Sequence, residues 1–549
     1  MICNIVGSRA GQSVNEFDYI IVGAGSAGCV IANRLSASGK HSVLVVEAGG
    51  SDQRFFVQTP IGYGKTYYDK NVNWKYTTEP VPGLANQPSY WPRGRVLGGS
   101  SSINAMVYVR GHPLDYNDWA QHAPGWSWDK IEPLFKRMED WSGAENQYRG
   151  HGGPLSVYNT IDEVHPLCAK YLQAATELQI PFNPDYNAAS MEGSALYQIT
   201  TRNGLRASAS RCYLRPALNR RNLTLLTKAQ VMRINFDGTR ATGIIYQHKG
   251  KPVTAKAYKE IIICGGAINS PQLLQLSGIG PQSLLKQHGI EVTHHNAEVG
   301  RNLQDHLGAD MVCRSRVPTL NQTLRPWFGR LKVGLQFLLT RKGPLSLSLN
   351  QGGGFVRLLD DSDRPDTQLY FSPLSYTRAP VGTRPLIKPD PFPGFLLGYN
   401  PCKPTSKGTL KIRSADPFEA PELQPNYLST DYDRNLMLKG MRLMRDIAAT
   451  PTMSNIIAEE IYPSRELQAD DQLHEFIAQK SWTVFHQCGT CRMGSNASQS
   501  VVDETLKVHG VSQLRVADAS VFPTIPTGNT NAPSMMVGEK ASDLILADA

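Results

Sequence analysis

The chain has 549 residues, enough for two substantial domains, and its 41% hydrophobic content is that of an ordinary globular protein. The formal net charge of +9 is dispersed along the sequence, which argues against a nucleic-acid partner and leaves a basic face for an anionic substrate or a membrane surface. With 48 Gly and 36 Pro but no repeat of either, the composition predicts a loop-rich α/β protein and excludes a fibre or a long disordered arm.

The opening stretch, "MICNIVGSRAGQSVNE", lacks the apolar core of a signal peptide, and residues 1–15 are read as an extension outside the fold. No run of about 18 apolar residues exists to span a bilayer. Nine cysteines, at 3, 29, 168, 212, 264, 313, 402, 488 and 491, form an odd set without framework spacing. That fits the reducing cytoplasm, with peripheral contact at the inner membrane left open.

The strongest local signal follows, "FDYIIVGAGSAGCVIANRLSASGKHSVLVVEAGG" (17–50). "YIIV" has the pattern of a strand buried on both faces. Gly23, Gly25 and Gly28 form G-x-G-x-x-G and open a helix with apolar Val30, Ile31 and Leu35; a second buried strand, "SVLVVE", ends in Glu47, 19 residues after Gly28. Gly23 allows the tight turn, Gly25 admits a pyrophosphate to the backbone, and Gly28 lets helix and strand pack closely. Glu47 would accept hydrogen bonds from a ribose. The unit predicts a dinucleotide site but does not choose between NAD and FAD. Segment 239–267 reads as a three-strand meander followed by a buried strand and a Gly-Gly turn, an insertion common in flavoproteins. The segment "VGLQFLLTRKGPLSL" (333–347) reads as a buried or capping helix followed by a loop, not an anchor. Near the C-terminus, 514–546 gives a strand ending at Asp518, a loop and a helix, so the nucleotide domain is discontinuous.

Further blocks are "RGRVLGGSSSINAMVYVRGHPLDYNDWA" (93–120), "GAINSPQLLQLSGIG" (266–280), "VGRNLQDH" (299–306), "SWTVFHQCGTCRMGSN" (481–496) and "TGNTNAP" (527–533). Together they resemble the glucose–methanol–choline (GMC) family of FAD-dependent oxidoreductases over residues 16–547. The texture is similar to the bacterial branch of choline, aliphatic-alcohol and sorbose dehydrogenases. The resemblance implies that Asn104, Ala105, Met106 and Val107 lie against the isoalloxazine and that Val231 contacts the adenine through its backbone. Asp518 and Ala519 would close over the pyrophosphate and ribityl side. Ser26, Ala27, Ala48, Val96, Gly99 and Asn531 complete the implied cofactor site. Ile103 stands where covalently flavinylated relatives have histidine, so non-covalent FAD is expected.

His486 sits close to Cys488 and Cys491, a spacing that suggests zinc or a thiol cycle. Zinc would need a fourth ligand, and no second Cys pair lies nearby. Thiol redox would place C-x-x-C at a helix start in a thioredoxin-like unit. No metal is expected, and the cysteines read as small packing residues. His486 matches the family's catalytic histidine. Oxidising an alcohol requires a base within reach of a hydroxyl proton, and neutral imidazole suits that task. Asn529 matches the second catalytic position and would hold the same oxygen. Trp482, Val484 and Phe485 are weaker candidates for the substrate pocket. His306 reads as a structural hydrogen-bonding residue.

The resemblance implies a Rossmann-like FAD domain on a parallel sheet (16–157, 198–306 and 487–549) and a substrate domain (158–197 and 307–486). Runs at 352–358, 367–372, 394–400 and 408–414 suggest an antiparallel sheet, with helices such as 434–448 behind it. The expected reaction oxidises a primary or secondary alcohol, polyols and sugars included, by hydride transfer to flavin N5 with His486 as base. Electrons would pass to a quinone or other acceptor. An oxidase using O2 and a hydroxynitrile-lyase-like enzyme are the alternatives. Nothing in the sequence indicates the oligomeric state.

Overall fold

The structure, a computed structural model, describes residues 15–376 and 388–549; the expected extension 1–15 lies, but for its last residue, outside the described residues. The strand Glu16–Val22 is buried from Tyr19 onward because parallel strands flank it on both sides, Val43–Glu47 on one and the end of Lys251–Ile263 on the other. The buried parts of both flanking strands are mostly Val and Ile, as suits a sheet covered on both faces. Leu223–Thr227 extends the sheet beyond Val43–Glu47, and Leu514–Val516 adds a parallel strand beside Ile261–Ile263. Ala229–Asp237 and Arg240–His248 complete it as an antiparallel meander.

That meander corrects the reading of 239–267. No separate buried strand follows it: Lys251–Ile263 is one continuous strand of 13 residues. Its first half alternates exposed and buried side chains, and its Ile261–Ile263 end enters the parallel core.

The helix Ser26–Ser36 covers this sheet and is itself covered by the last helix, Asn531–Ala547. The two approach closely at Gly538, where a Cβ would lie 2.9 Å from the Ala27 carbonyl oxygen. Arg34 and buried Glu539 bridge them at 2.7 Å, and the Tyr213 hydroxyl donates to the same carboxylate at 2.8 Å. Helices more than 490 positions apart in the sequence therefore pack directly on each other.

A second sheet is antiparallel throughout, in the order Ile457–Tyr462, Leu307–Ser315, Gly394–Pro401, Thr367–Ser372, Gly352–Val356, Gly193–Leu196. The short strand Trp482–Thr483 pairs with Leu307–Gly308 at its edge. Helix Asp431–Ala449 lies behind it, held close by Gly440, whose Cβ would fall 2.2 Å from the Tyr399 ring. The run 408–414 does not join this sheet; Thr409–Lys411 pairs with Glu422–Gln424 in a hairpin of its own.

A further correction concerns 333–347. The helix starts earlier, at Trp327, and ends at Thr340, and only Gly329, Val333 and Phe337 along it are buried. Its opposite face is apolar and exposed.

Candidate active site

One long cavity opens at the C-terminal ends of the parallel strands, where ligands bind in open α/β sheets. Of the residues expected at the cofactor, Gly23, Gly25, Ser26, Ala27, Glu47, Ala48, Gly99, Asn104, Ala105, Met106, Val107, Val231, Asp518, Ala519 and Asn531 line it. Gly28 and Val96 do not. Gly28 packs behind the turn, its Cβ position 2.0 Å from the Gly23 carbonyl oxygen. Val96 is turned into a small apolar cluster with Val57, Val72 and Ile103, so it backs the wall instead of facing the cavity.

The lining fits a dinucleotide of FAD type. Gly23 holds φ +101°, and its Cβ would strike the Cys264 carbonyl oxygen at 2.5 Å. A Cβ on Gly99 would lie 2.8 Å from the Gly25 Cα, so bare backbone forms this wall. The helix Ser26–Ser36 has no side-chain cap and no acid in its first turn, which leaves its N–H groups for an anion. Glu47 accepts hydrogen bonds from the backbone N–H groups of Ala24 (2.9 Å) and Gly49 (2.7 Å), and burial pushes its carboxyl up to about 6. Asp518 accepts from Gly266 N, Ser270 Oγ and Ser520 N, tying the Gly265–Gly266 turn to the 3-10 turn at Ala519. Asn531 accepts from Ser26 Oγ at 2.9 Å and so joins the two packed helices. Val231 lies on the outermost strand of the sheet, with one backbone edge unpaired by a neighbouring strand. Asn104 Oδ1 accepts from buried Arg206 (2.7 Å) and from the Met106 N–H (3.1 Å), which fixes the Asn104–Val107 segment. Ile103 also lines the cavity and offers no atom for a covalent flavin bond.

At the far end stand His486 and Asn529. Segments 304–308 and 482–488 run antiparallel, through Val484 N to His306 O and the reciprocal bonds of Gln304 with Cys488. This pairing brings together two histidines 180 positions apart: His306 Nδ1 lies 2.9 Å from His486 Nδ1. His306 Nε2 is 2.8 Å from the Cys402 carbonyl oxygen, which can only accept, so Nε2 carries the proton. Burial lowers the His306 pKa to about 4, and the ring is neutral. Its Nδ1 is therefore bare and accepts from His486 Nδ1–H. Burial, with His306 and Arg93 nearby, holds His486 well below the ordinary imidazole range. A neutral His486 protonated on Nδ1 has a bare Nε2, and 2.9 Å away stands the Asn529 amide nitrogen, a donor. Gln368 donates to Asn529 Oδ1 at 3.1 Å, which fixes the amide's orientation. The His486 lone pair and the Asn529 N–H thus meet each other at the end of the cavity, an acceptor and a donor side by side.

Val484 and Phe485 line the cavity as expected. Trp482 does not: it packs edge-on to Phe485 and directs its indole N–H at Asp310. Phe485 and Met106 both adopt left-handed backbone, φ +69° and +65°, a strained geometry that surrounding contacts must hold. Arg93 supplies one such contact by donating to the Phe485 carbonyl. Asp305 supplies another, accepting from His486 N and Gln487 Nε2, each at 2.8 Å; burial pushes its carboxyl up to about 6. Arg93 and Asp305 were not expected to have a role, while His306, expected as a structural hydrogen-bonding residue, does hydrogen-bond, to Cys402 O and to His486. All three lie within quoted motifs, but only the strand pairing shows what they hold.

Cys488 and Cys491 are fully buried in the core under the parallel sheet, and burial raises both thiols well above their usual range. Protonated thiols in such a setting neither bind metal nor exchange with disulfides. Among the described residues no group of three His, Cys, Asp or Glu stands in a metal-binding arrangement.

Two consequences can be measured. Because His486 is held below its usual pKa, kcat/KM should be flat with pH through neutrality and fall only on the acid side of about 6.5. His306→Leu should lower kcat/KM on the order of 10²-fold and shift that acid limb, because Nδ1 of His486 loses its acceptor. His306→Gln can donate to Cys402 and accept from His486, and should recover part of the loss. A loss in H306L without any change in the limb would make His306 a packing residue only.

The GMC oxidoreductase family profiles match residues 17–308 and 404–538. The chain is 40% identical over 538 residues to the oxygen-dependent choline dehydrogenase of Vibrio vulnificus, covering 97% of this chain and 94% of that one. It is 39% identical to an alcohol dehydrogenase [acceptor] of Pseudomonas putida, with 96% of each covered. Among solved structures, pyridoxine 4-oxidase from Mesorbium loti superposes with a TM-score of 0.85 at 28% identity, covering 96% and 98% of the two chains. The chain belongs to the GMC oxidoreductase family, and it is an FAD-dependent oxidoreductase.

Proposed function

We propose that this protein oxidises an uncharged, largely apolar primary or secondary alcohol to the aldehyde or ketone, with His486 as the base and Asn529 as the oxygen anchor. The chain Cys402 O, His306, His486 and Asn529 is the single observation that carries the reading. It leaves His486 Nε2 unprotonated, so that a hydroxyl entering between the two side chains would give its proton to Nε2 while the Asn529 amide N–H, which donates to Nε2 in this structure, turns to the oxygen on which charge develops. FAD, when bound along the glycine-lined cavity, supplies the hydride acceptor. Buried Asp305 and half-buried Arg93 keep the His486 loop in place, so the base does not rotate away from the substrate oxygen.

The substrate class follows from the walls. Tyr67, Trp74, Met106, Val484 and Phe485 line the cavity, together with the cation Arg93. Among the described lining residues the carboxylates are Glu47 and Asp518, both engaged by backbone N–H groups. Residues 377–387, outside the described residues, include no Asp or Glu. A quaternary ammonium would meet Arg93 without a compensating carboxylate. We assign a quinone or similar carrier as the electron acceptor, the cytoplasm as the compartment, and 158–197 with 307–486 as the substrate-binding domain.

The test compares medium-chain 1-alkanols, a polyol and choline with a quinone dye and with O2. An apolar alcohol should exceed choline in kcat/KM by on the order of tenfold or more, because choline must desolvate its charge beside Arg93. Choline as the better substrate would reject the assignment.

A further inference from the structure

The helix Trp327–Thr340 has an unusual placement of its side chains. Gly329, Val333 and Phe337, spaced by four, face inward. Trp327, Phe328, Leu331, Leu335, Leu338 and Leu339 lie on the opposite side, and they are exposed: Trp327 by 71%, Phe328 by 63% and Leu339 by 83%. Scattered exposed hydrophobic residues need no explanation, but six on one stripe of one helix do.

The charged residues on the helix and at its two ends are all cations, and of these Lys342 is paired with Glu163 at 3.6 Å. Arg325, Arg330, Lys332, Arg341 and Lys342 flank or end the helix, all exposed. No Asp or Glu occurs anywhere between Asp310 and Asp360. An apolar face edged by cations, with carboxylates excluded over so long a stretch, complements an anionic lipid surface in both of its parts. Exposed Phe55 and Phe56 lie near the same region, since the Pro60–Gly62 turn that follows them packs on Pro344–Ser346 beyond the helix. Among the described residues no helix is long and apolar enough to cross a membrane, so the element would lie in the interface plane.

We propose that Trp327–Thr340 is a membrane-docking helix that seats the enzyme on an anionic bilayer surface. Its inner face shows why that location is useful. Val333 belongs to the apolar cluster that contains Tyr63, Leu324, Leu349 and Met106, and Met106 lines the active-site cavity. The docking helix therefore forms the outer layer of a wall whose inner layer faces the substrate. An apolar alcohol or a quinone dissolved in the bilayer would enter beside it. The docking claim itself stands on the helix alone and does not depend on the proposed substrate class.

The test is co-sedimentation of the FAD-loaded full-length protein with vesicles of phosphatidylcholine alone or with 30% phosphatidylglycerol (about that fraction suffices to make the surface anionic). Binding to the mixed vesicles should exceed binding to phosphatidylcholine by about tenfold and weaken with salt. The triple variant Phe328→Ser, Leu335→Ser, Leu339→Ser should lose vesicle binding while retaining FAD content and dye-linked oxidation of a water-soluble alcohol. The variant Arg330→Gln, Lys332→Gln, Arg341→Gln should lose the preference for anionic vesicles. Absence of binding by the wild type would overturn the proposal. So would a wild-type dimer that the serine variant converts to monomer without any vesicle binding, which would make a second copy the occupant of this face.

Discussion

His486→Ala is expected to lower the rate at which an alcohol reduces the bound flavin by about 10²- to 10⁴-fold, the range removed when a positioned general base is lost. His486 Nε2 is unprotonated. Cys402 O and His306 fix the proton of His486 on Nδ1, and burial with Arg93 nearby keeps the ring neutral, so Nε2 is the atom facing the Asn529 amide. Alanine leaves Asn529 and the cavity in place, and FAD should still bind. Stopped-flow reduction under anaerobic conditions reads the chemical step directly. His486→Asn, which can donate to the oxygen but is a poor base, should be no faster than the alanine variant. A reductive rate within about threefold of wild type in H486A would remove His486 from the mechanism.

Gly28→Ala is expected to have the second large effect, on folding and cofactor retention together. A Cβ there would sit 2.0 Å from the Gly23 carbonyl oxygen and 3.2 Å from the Cys264 Cβ. The first obstacle is backbone, and no rotamer relieves it. Nor can the helix Ser26–Ser36 simply lift away, because Gly538 of the last helix presses on Ala27 and Val30 from the other side. Overpacking of this kind costs about 1–3 kcal/mol and sometimes more, and any shift that relieves it moves the helix N-terminus from the anion it faces. G28A should therefore purify with much less FAD and a lower midpoint of thermal unfolding. Gly334→Ala is the control: its Cβ meets nothing within 4 Å on an exposed helix, so FAD content should not change. Full FAD occupancy and an unchanged midpoint in G28A would contradict the packing argument.

Much of the fold was legible because its signals are local. The buried strand, glycine turn, helix and acid of 17–50 follow one another within a single unit, and each residue type has a steric reason visible from its neighbours. Runs such as 352–358, 367–372 and 394–400 betrayed strands by their composition. The run 408–414 looked equally strand-like, and Thr409–Lys411 is a strand, yet it pairs with Glu422–Gln424 in a separate hairpin. Composition indicates extended backbone but does not choose the partner.

The site was legible in part. His486 and Asn529 could be picked as candidates from the motifs around them, but the tautomer that leaves His486 Nε2 unprotonated depends on His306, 180 positions away, and on a backbone carbonyl at Cys402. No periodicity reports such a contact. Val96 and Trp482 were placed at the cavity by their neighbours in sequence, and each turns its side chain elsewhere. The segment 327–340 shows a different limit. Apolar residues occupy both its faces, so the pattern gives no contrast from which to tell the buried side from the exposed one.

The most direct test of the central claim is an anaerobic titration of the FAD-loaded protein with an apolar primary alcohol, following the flavin band near about 450 nm, a region set by the cofactor and not by the protein. Complete bleaching in wild type with formation of the aldehyde is expected, at a rate that is flat with pH until it falls on the acid side of about 6.5. Protein that holds FAD but is bleached by no alcohol, while it cleaves a cyanohydrin, would contradict it.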